Sequence, residues 1–168
     1  MVIKPAQTTV SMLMEKQSYI IRKATEQDDG AIAQHLQHVM LELGLAAQSM
    51  QPDWLTKTQL FIEQARHELQ YQGFVAEASG QILGSVSCQI LELYPMLSLD
   101  YQKGYIWGLY VVPSHRRQGI ATQLMQATTK YLQGIGCTKA VLHASEAGKL
   151  LYTRLGYTDS NEMALSLT

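Results

Sequence analysis

The 168-residue sequence predicts an α/β fold: a mixed, mostly antiparallel twisted sheet flanked by helices. Three observations carry this. Two strand-like runs, Gly73 to Ala78 and Gln81 to Leu93, meet at Ser79-Gly80, a dipeptide suited to a tight hairpin. The β-branched and aromatic run Tyr105 to Val112 ends at Pro113 and is followed by a helical stretch from Gly119. A second run, Lys139 to Ala144, is followed by a helix from about Ala147 to Leu155. The hairpin supplies antiparallel pairing and the strand-to-helix units supply layers, so the sheet is mixed.

The elements follow in order. Ile20 to Lys23 is a first strand, and Thr25 with Asp28 opens a helix carrying Ile32, Leu36, Val39, Met40 and Leu43 at helical spacing. Gly44 ends it. Pro52-Asp53-Trp54 starts a second helix through about Tyr71, with Leu55, Leu60, Ile62, Ala65 and Leu69 as its buried stripe. His35, His38 and His67 fall on these two helices and are expected on solvated faces. The hairpin comes next, then a loop from Leu93 to Lys103 containing Pro95, the strand Tyr105 to Val112 and a helix from Gly119 to about Gln133. A last strand is expected from about Glu162 to Leu167. Its apolar Met163 to Leu167 would make a sheet edge that invites pairing, and with it a homodimer. One domain is expected over residues 19–168, after an N-terminal extension, 1–18, expected to be poorly ordered.

Composition narrows the classes. With 46% hydrophobic and 16% charged residues, the chain is long enough for one well-buried core and short for two. The net charge of -1 and pI near 6.5, with no basic concentration beyond Arg116 and Arg117, argue against a nucleic-acid partner held by phosphate contacts. Cys88 and Cys137 show neither Cys-x-x-Cys spacing nor a histidine at metal spacing, so no metal and no disulfide framework are expected. Both read as buried apolar residues. Val10 to Met14 is too short for a signal core and no stretch is long enough to span a membrane, so no membrane association and a reducing cytoplasm are the expectation.

The segment Val111 to Thr122, Val-Val-Pro-Ser-His-Arg-Arg-Gln-Gly-Ile-Ala-Thr, has the make-up of an anion cradle. At a helix start the first N–H groups lack partners and the macrodipole adds roughly half a positive charge, so main chain alone can bind phosphate. Gly119 admits a close approach, and Ala121 keeps the next position small. Arg116 and Arg117 add charge and Gln118 a neutral donor, which suits a pyrophosphate better than a lone carboxylate. Neither a Gly-x-x-x-x-Gly-Lys-Ser/Thr loop nor a dinucleotide fingerprint is present.

These residues resemble the Gcn5-related N-acetyltransferases, which bind acetyl-coenzyme A. The family pattern Arg/Gln-x-x-Gly-x-Gly/Ala matches Arg116, Gly119 and Ala121, and the segment Leu-Tyr-x-x-Leu-Gly-Phe/Tyr matches Leu151 to Tyr157. The resemblance is clearest from about Gly73 to Tyr157. It implies a sheet whose central strands splay, with Leu109, Tyr110 and Val111 along the pantetheine arm of the coenzyme. Around the pyrophosphate it implies Arg117, Gln118, Gly119, Ile120, Ala121 and Thr122. Side-chain packing of Leu109 and Val111 in the core is compatible with this, because main chain does the binding. Tyr152 matches the tyrosine that donates a proton to the departing thiolate, and a free tyrosine is in the protonated state at neutral pH. Ser145 stands where many members have an asparagine, still able to bond the coenzyme over a shorter reach. Gly148 replaces a usual alanine.

The resemblance implies transfer of an acetyl group to a primary amine by direct attack in a ternary complex, with acetyl-coenzyme A as cosubstrate and no metal. It does not assign the general base, because the strand before the cradle has Trp107, Gly108 and Tyr110 where many members carry a glutamate. The candidates are His143, Glu146, Glu92 and Glu162, or no side chain at all, with ordered water or Tyr110 relaying the proton. His143 has the most suitable intrinsic pKa and lies two residues before Ser145, so strand alternation predicts both on one face. The acceptor, a small molecule or a protein amine, is unnamed by any residue. Met50, Trp54, Tyr71, Tyr94, Met96 and Tyr101 point to a modest apolar pocket with few acids. Two other functions share the cradle: a sensor of acyl-coenzyme A that has lost catalysis, and a nucleotide-dependent enzyme. The second lacks a carboxylate and Ser/Thr pair for magnesium.

Overall fold

The computed structural model describes residues 18–92 and 102–166. The N-terminal extension up to residue 17 and residues 93–101, with Tyr94, Met96 and Tyr101, lie outside the described residues. The elements run β1 (Ile20–Lys23), α1 (Asp29–Glu42), α2 (Trp54–Glu68), β2 (Gln72–Ala78), β3 (Gln81–Glu92), β4 (Gln102–Val111), α3 (Ile120–Gly134), β5 (Lys139–Leu142) and α4 (Glu146–Arg154). The strands lie in sequence order in one mixed sheet. The first three pairings are antiparallel, and β4 pairs β5 in parallel through the α3 crossover.

Two apolar clusters hold the layers. Phe74, Val86, Ile90 and Ile106 pack against Ile120, Leu124, Met125 and Leu132 of α3. On the other face, Val75 and Tyr71 meet Ile32 of α1 and Ile62 and Ala65 of α2. Alternation along β2 sends Phe74 and Ala76 to one face and Val75 to the other. Capping sets the helix ends. The Asp28 carboxylate accepts from the Thr25 amide at 2.8 Å before α1, and Gly44, at φ +91°, releases the chain after it.

Several expectations need correction. Helix α2 stops at Glu68 rather than near Tyr71. Gln70 adopts a left-handed φ of +48°, which turns the Tyr71 ring into the core, where its hydroxyl lies 2.9 Å from Ser87 Oγ. Leu60 is 58% exposed, because Ile62 and Ala65 fix the buried face and a residue two places away lies about 200° around the helix. His35 is buried rather than solvated, with Nδ1 2.9 Å from Ser85 Oγ, whereas His38 and His67 are exposed. No strand forms over residues 157–166. Met163 and Leu165 are 94% and 83% exposed, so the alternating apolar pattern there finds no sheet partner, and the edge behind the homodimer expectation is missing among the described residues.

Beta strand β4 carries the feature that shapes the site. Ser87 pairs with Trp107 and Ser85 with Tyr110, so Gly108 and Leu109 stand opposite the single residue Val86. This is a β-bulge, and Gly108 supplies its left-handed φ of +66°. One extra residue reverses the facing of everything after it. Ile106 packs on the α3 side; beyond the bulge Leu109 and Val111 do so, and Tyr110 turns to α1, where its ring centroid lies 4.8 Å from that of His35.

Candidate active site

Strands β4 and β5 pair only from Lys103↔Lys139 to Ile106↔Leu142. After that β4 runs on to Val111, while β5 stops and the chain turns at Ser145 into α4. The strands therefore part. A cleft of about 100 Å³ opens between Trp107, Gly108 and Leu109 on one side and His143, Ser145 and Tyr152 on the other, with Val39 of α1 and Leu43, just past its end, over it. Among the described residues no strand pairs with β4 beyond Ile106 on this side, which leaves its main-chain edge available to an extended ligand.

At the end of the same strand the chain makes a short turn, Pro113–His115, and enters α3. Arg117 and Gly119 both have positive φ, +63° and +86°, and Gly119 is the residue before the first helical turn. Buried Ile120 anchors the helix start, while Arg117, Gln118 and Gly119 are exposed and Ala121 and Thr122 half-buried. A Cβ on Gly119 would meet nothing closer than Tyr19 Oη at 3.9 Å, so what requires glycine within the protein is the backbone conformation. Tyr19 holds the loop from outside, donating to the Gln118 carbonyl at 3.3 Å and accepting from Gln123 at 2.8 Å.

The two arginines divide. The Arg116 guanidinium, though exposed, is tied to the protein: Nε donates to the Val111 carbonyl at 2.8 Å, Nη2 bonds the Glu42 carboxylate, and the group lies 5.4 Å from the Tyr110 ring centroid. The His38 ring stacks on Tyr110 at 5.3 Å. His35, His38 and Glu42 of α1 thus brace β4 and the loop together. Burial, and secondarily the nearby His38, push the His35 imidazole down to about 4, so it is neutral there. The open α3 N-terminus, the exposed Arg117 and the unpaired β4 edge fit a ligand with a pyrophosphate and an extended arm.

Within the cleft, Ser145 Oγ accepts from the Gly148 amide at 3.2 Å and caps α4. Gly148 makes room for Tyr152, since a Cβ there would lie 2.9 Å from Tyr152 Cε2. Burial, with a smaller contribution from Tyr157, raises the Tyr152 phenol above its ordinary value and keeps it protonated. His143 and Ser145 do line the same cleft, but not through strand alternation, because β5 ends at Leu142. Their meeting comes from the turn into α4. Glu146, Glu92 and Glu162 are exposed and line neither cavity.

A second cavity, of about 610 Å³, lies between α1, α2 and the sheet and shares Trp107 with the cleft. Met50 and Trp54 line it as expected, with Leu36, Met40, Phe61 and Tyr105; Tyr71 is instead buried beneath. Tyr105 joins the two spaces: it lines this cavity, and its hydroxyl lies 3.0 Å from Nδ1 of His143 in the cleft. Sequence reasoning missed Tyr105, although its alternation with Trp107 placed both on one face. Among the described residues no group of His, Cys, Asp or Glu is clustered as a metal site, and no helix is long and apolar enough to cross a membrane.

Comparison with known proteins gives the family and the fold. Residues 36–157 match the model of the acetyltransferase (GNAT) family, and the chain belongs to that family. It is 33% identical over 94 residues to N-alpha-acetyltransferase 30 of Schizosaccharomyces pombe, a match covering 54% of this chain and 60% of that relative. Among solved structures it resembles a GCN5-related N-acetyltransferase from Ralstonia eutropha JMP134, at 29% identity and a TM-score of 0.80 over 89% of this chain and 99% of that one. The fold is also that of a predicted acetyltransferase with acetyl-CoA from Clostridium acetobutylicum, at 23% identity and a TM-score of 0.78 over 90% and 96%.

Proposed function

We propose that this protein is an N-acetyltransferase that moves the acetyl group of acetyl-coenzyme A to a primary amine by direct attack in a ternary complex. The observation that carries this is the cleft where β4 and β5 part, with Tyr152 and His143 on its wall and the α3 N-terminus at the end of the same strand. Main-chain groups of Leu109, Tyr110 and Val111 pair with the pantetheine arm. The N–H groups from Arg117 to Thr122 hold the pyrophosphate, with the Arg117 and Gln118 side chains on its solvent side, while Arg116 braces the loop. Ser145 faces the coenzyme across the cleft. Buried, unpaired Cys88 and Cys137 suit a reducing, cytoplasmic setting.

In the reaction the amine nitrogen forms a bond to the thioester carbonyl carbon and the carbon–sulfur bond breaks. Tyr152 gives its proton to the departing sulfur. The surplus proton of the amine goes to Tyr105 Oη as Tyr105 passes its own to Nδ1 of His143, and solvent exchange restores both groups. Replacement Tyr152→Phe keeps the ring and its packing, so turnover should fall roughly ten- to ten-thousandfold with coenzyme affinity unchanged. An unchanged rate would remove that role. A coenzyme sensor is the second reading, favoured by the lack of a carboxylate on either cavity wall among the described residues. Tight binding of acetyl-coenzyme A with no acetylation of any amine would select it.

A further inference from the structure

The larger cavity has a composition that selects its occupant. Its walls are Leu36, Met40, Met50, Trp54, Phe61 and Trp107, and its volume of about 610 Å³ falls in the range of small-ligand sites. The polar side chains among them are already engaged with protein. Gln89 Oε1 accepts from Trp107 Nε1 at 3.2 Å, Thr58 Oγ1 donates to the Trp54 carbonyl at 2.7 Å, and Gln37 Nε2 lies 3.6 Å from the Met50 sulfur. Among the described lining residues there is no Asp or Glu, and the one charged group is a cation, Lys57, paired with Asp53 at 3.1 Å.

We infer that the acceptor is a monoamine carried on an apolar or aromatic body, which fills the cavity between α1 and α2 while its amino group reaches Tyr105 and Trp107 at the mouth of the coenzyme cleft. This rests on the proposed acetyl transfer and adds the class of substrate. The charge argument is direct. A second ammonium group placed in this cavity would exchange part of its water for ring and thioether walls and meet no carboxylate among the described lining residues, the neighbouring Asp53 being already paired with Lys57, so polyamines and aminoglycosides are disfavoured. An apolar body gains by covering the ring and thioether walls. The same surroundings favour the neutral form of the reacting amine, which is the form that attacks.

The test is coenzyme A release with 2-phenylethylamine, tryptamine and hexylamine set against spermidine and kanamycin, with a peptide beginning Met-Leu as a further arm. The expected kcat/KM for the apolar monoamines exceeds that for spermidine and kanamycin by roughly a hundredfold or more. A higher value for the peptide than for the free amines would make the source a protein N-terminus. Spermidine or kanamycin equalling the apolar amines would overturn the inference and leave acetyl transfer standing. Should no amine release thiol, the transfer reading fails, and binding decides the cavity's chemistry separately. The two tryptophans of the chain, Trp54 and Trp107, both line the cavity, so 2-phenylethylamine should quench their fluorescence saturably and spermidine should not. No saturable quenching by the apolar amine would overturn the inference. Phe61 is 45% exposed, and Phe61→Ala is expected to raise KM for 2-phenylethylamine roughly tenfold or more with a smaller change in kcat. Met50→Glu, a second variant at a half-buried position, should shift the preference toward spermidine; an unchanged preference in both variants would contradict the assignment.

Discussion

Acidification from pH 7 to pH 5 is expected to remove about 2 kcal/mol of folding stability through His35 alone. The imidazole titrates near 6.5 when free, and burial between α1 and β4 pushes it down to about 4. Below 6.5 the unfolded chain takes up a proton that the folded protein refuses, so stability falls with pH from that point and levels off near 4. A difference of that size corresponds to about 3 kcal/mol once both states are protonated, of which about 2 kcal/mol has been lost by pH 5. Other groups titrate in the same window, so the measurement is a difference of differences. Urea denaturation of the wild type and of His35→Gln at the two pH values should show the wild type losing about 2 kcal/mol more than the variant. Equal losses would refute the burial-driven shift, and with it the view that a neutral His35 bonded to Ser85 sets the contact between α1 and Tyr110.

The alanine that Gly148→Ala introduces would put its Cβ 2.9 Å from Tyr152 Cε2 and 3.3 Å from Ser145 Oγ, displacing the ring. The expected signature is a thermal midpoint no lower than that of the wild type, because alanine is the better helix former, with kcat reduced roughly ten- to hundredfold. An unchanged kcat would mean that the ring position is immaterial. Gly104→Ala forces a Cβ into Leu132 Cδ1 in the buried α3 face, and denaturation should show a loss of about 1–3 kcal/mol with coenzyme affinity kept. A loss of affinity at full stability would contradict it.

Much of this fold was legible because the local signals agreed with the tertiary outcome. Ser79-Gly80 turned the hairpin, Gly44 ended α1, and Gly119 marked the start of α3 to within a residue. The cradle was legible for the same reason, since its chemistry lies in consecutive residues. What was not legible depends on distant partners. The bulge is marked in the sequence by Gly108 alone within the run Tyr105 to Val112, and its consequence for which side chains face α1 shows against the register of β3. His35 looked like any polar helix position, and it is buried against Ser85 of β3 and against Tyr110, which the bulge turns toward α1. The 157–166 segment has strand-like alternation and yet pairs with no strand among the described residues. Tyr105 and His143 are 38 residues apart and meet because β4 and β5 run parallel up to Ile106 and Leu142.

On the proposed function, the β4 edge and the α3 N-terminus form one coenzyme site. Calorimetric titration of acetyl-coenzyme A into the wild type and Gly119→Val tests it most directly. Gly119 has a φ of +86° and open space around its Cα, so valine should strain this one turn by about 1–2 kcal/mol and block phosphate approach while the core stays packed. Tight binding by the wild type and none detectable by a folded variant are expected; equal affinity in the two proteins would place the coenzyme elsewhere.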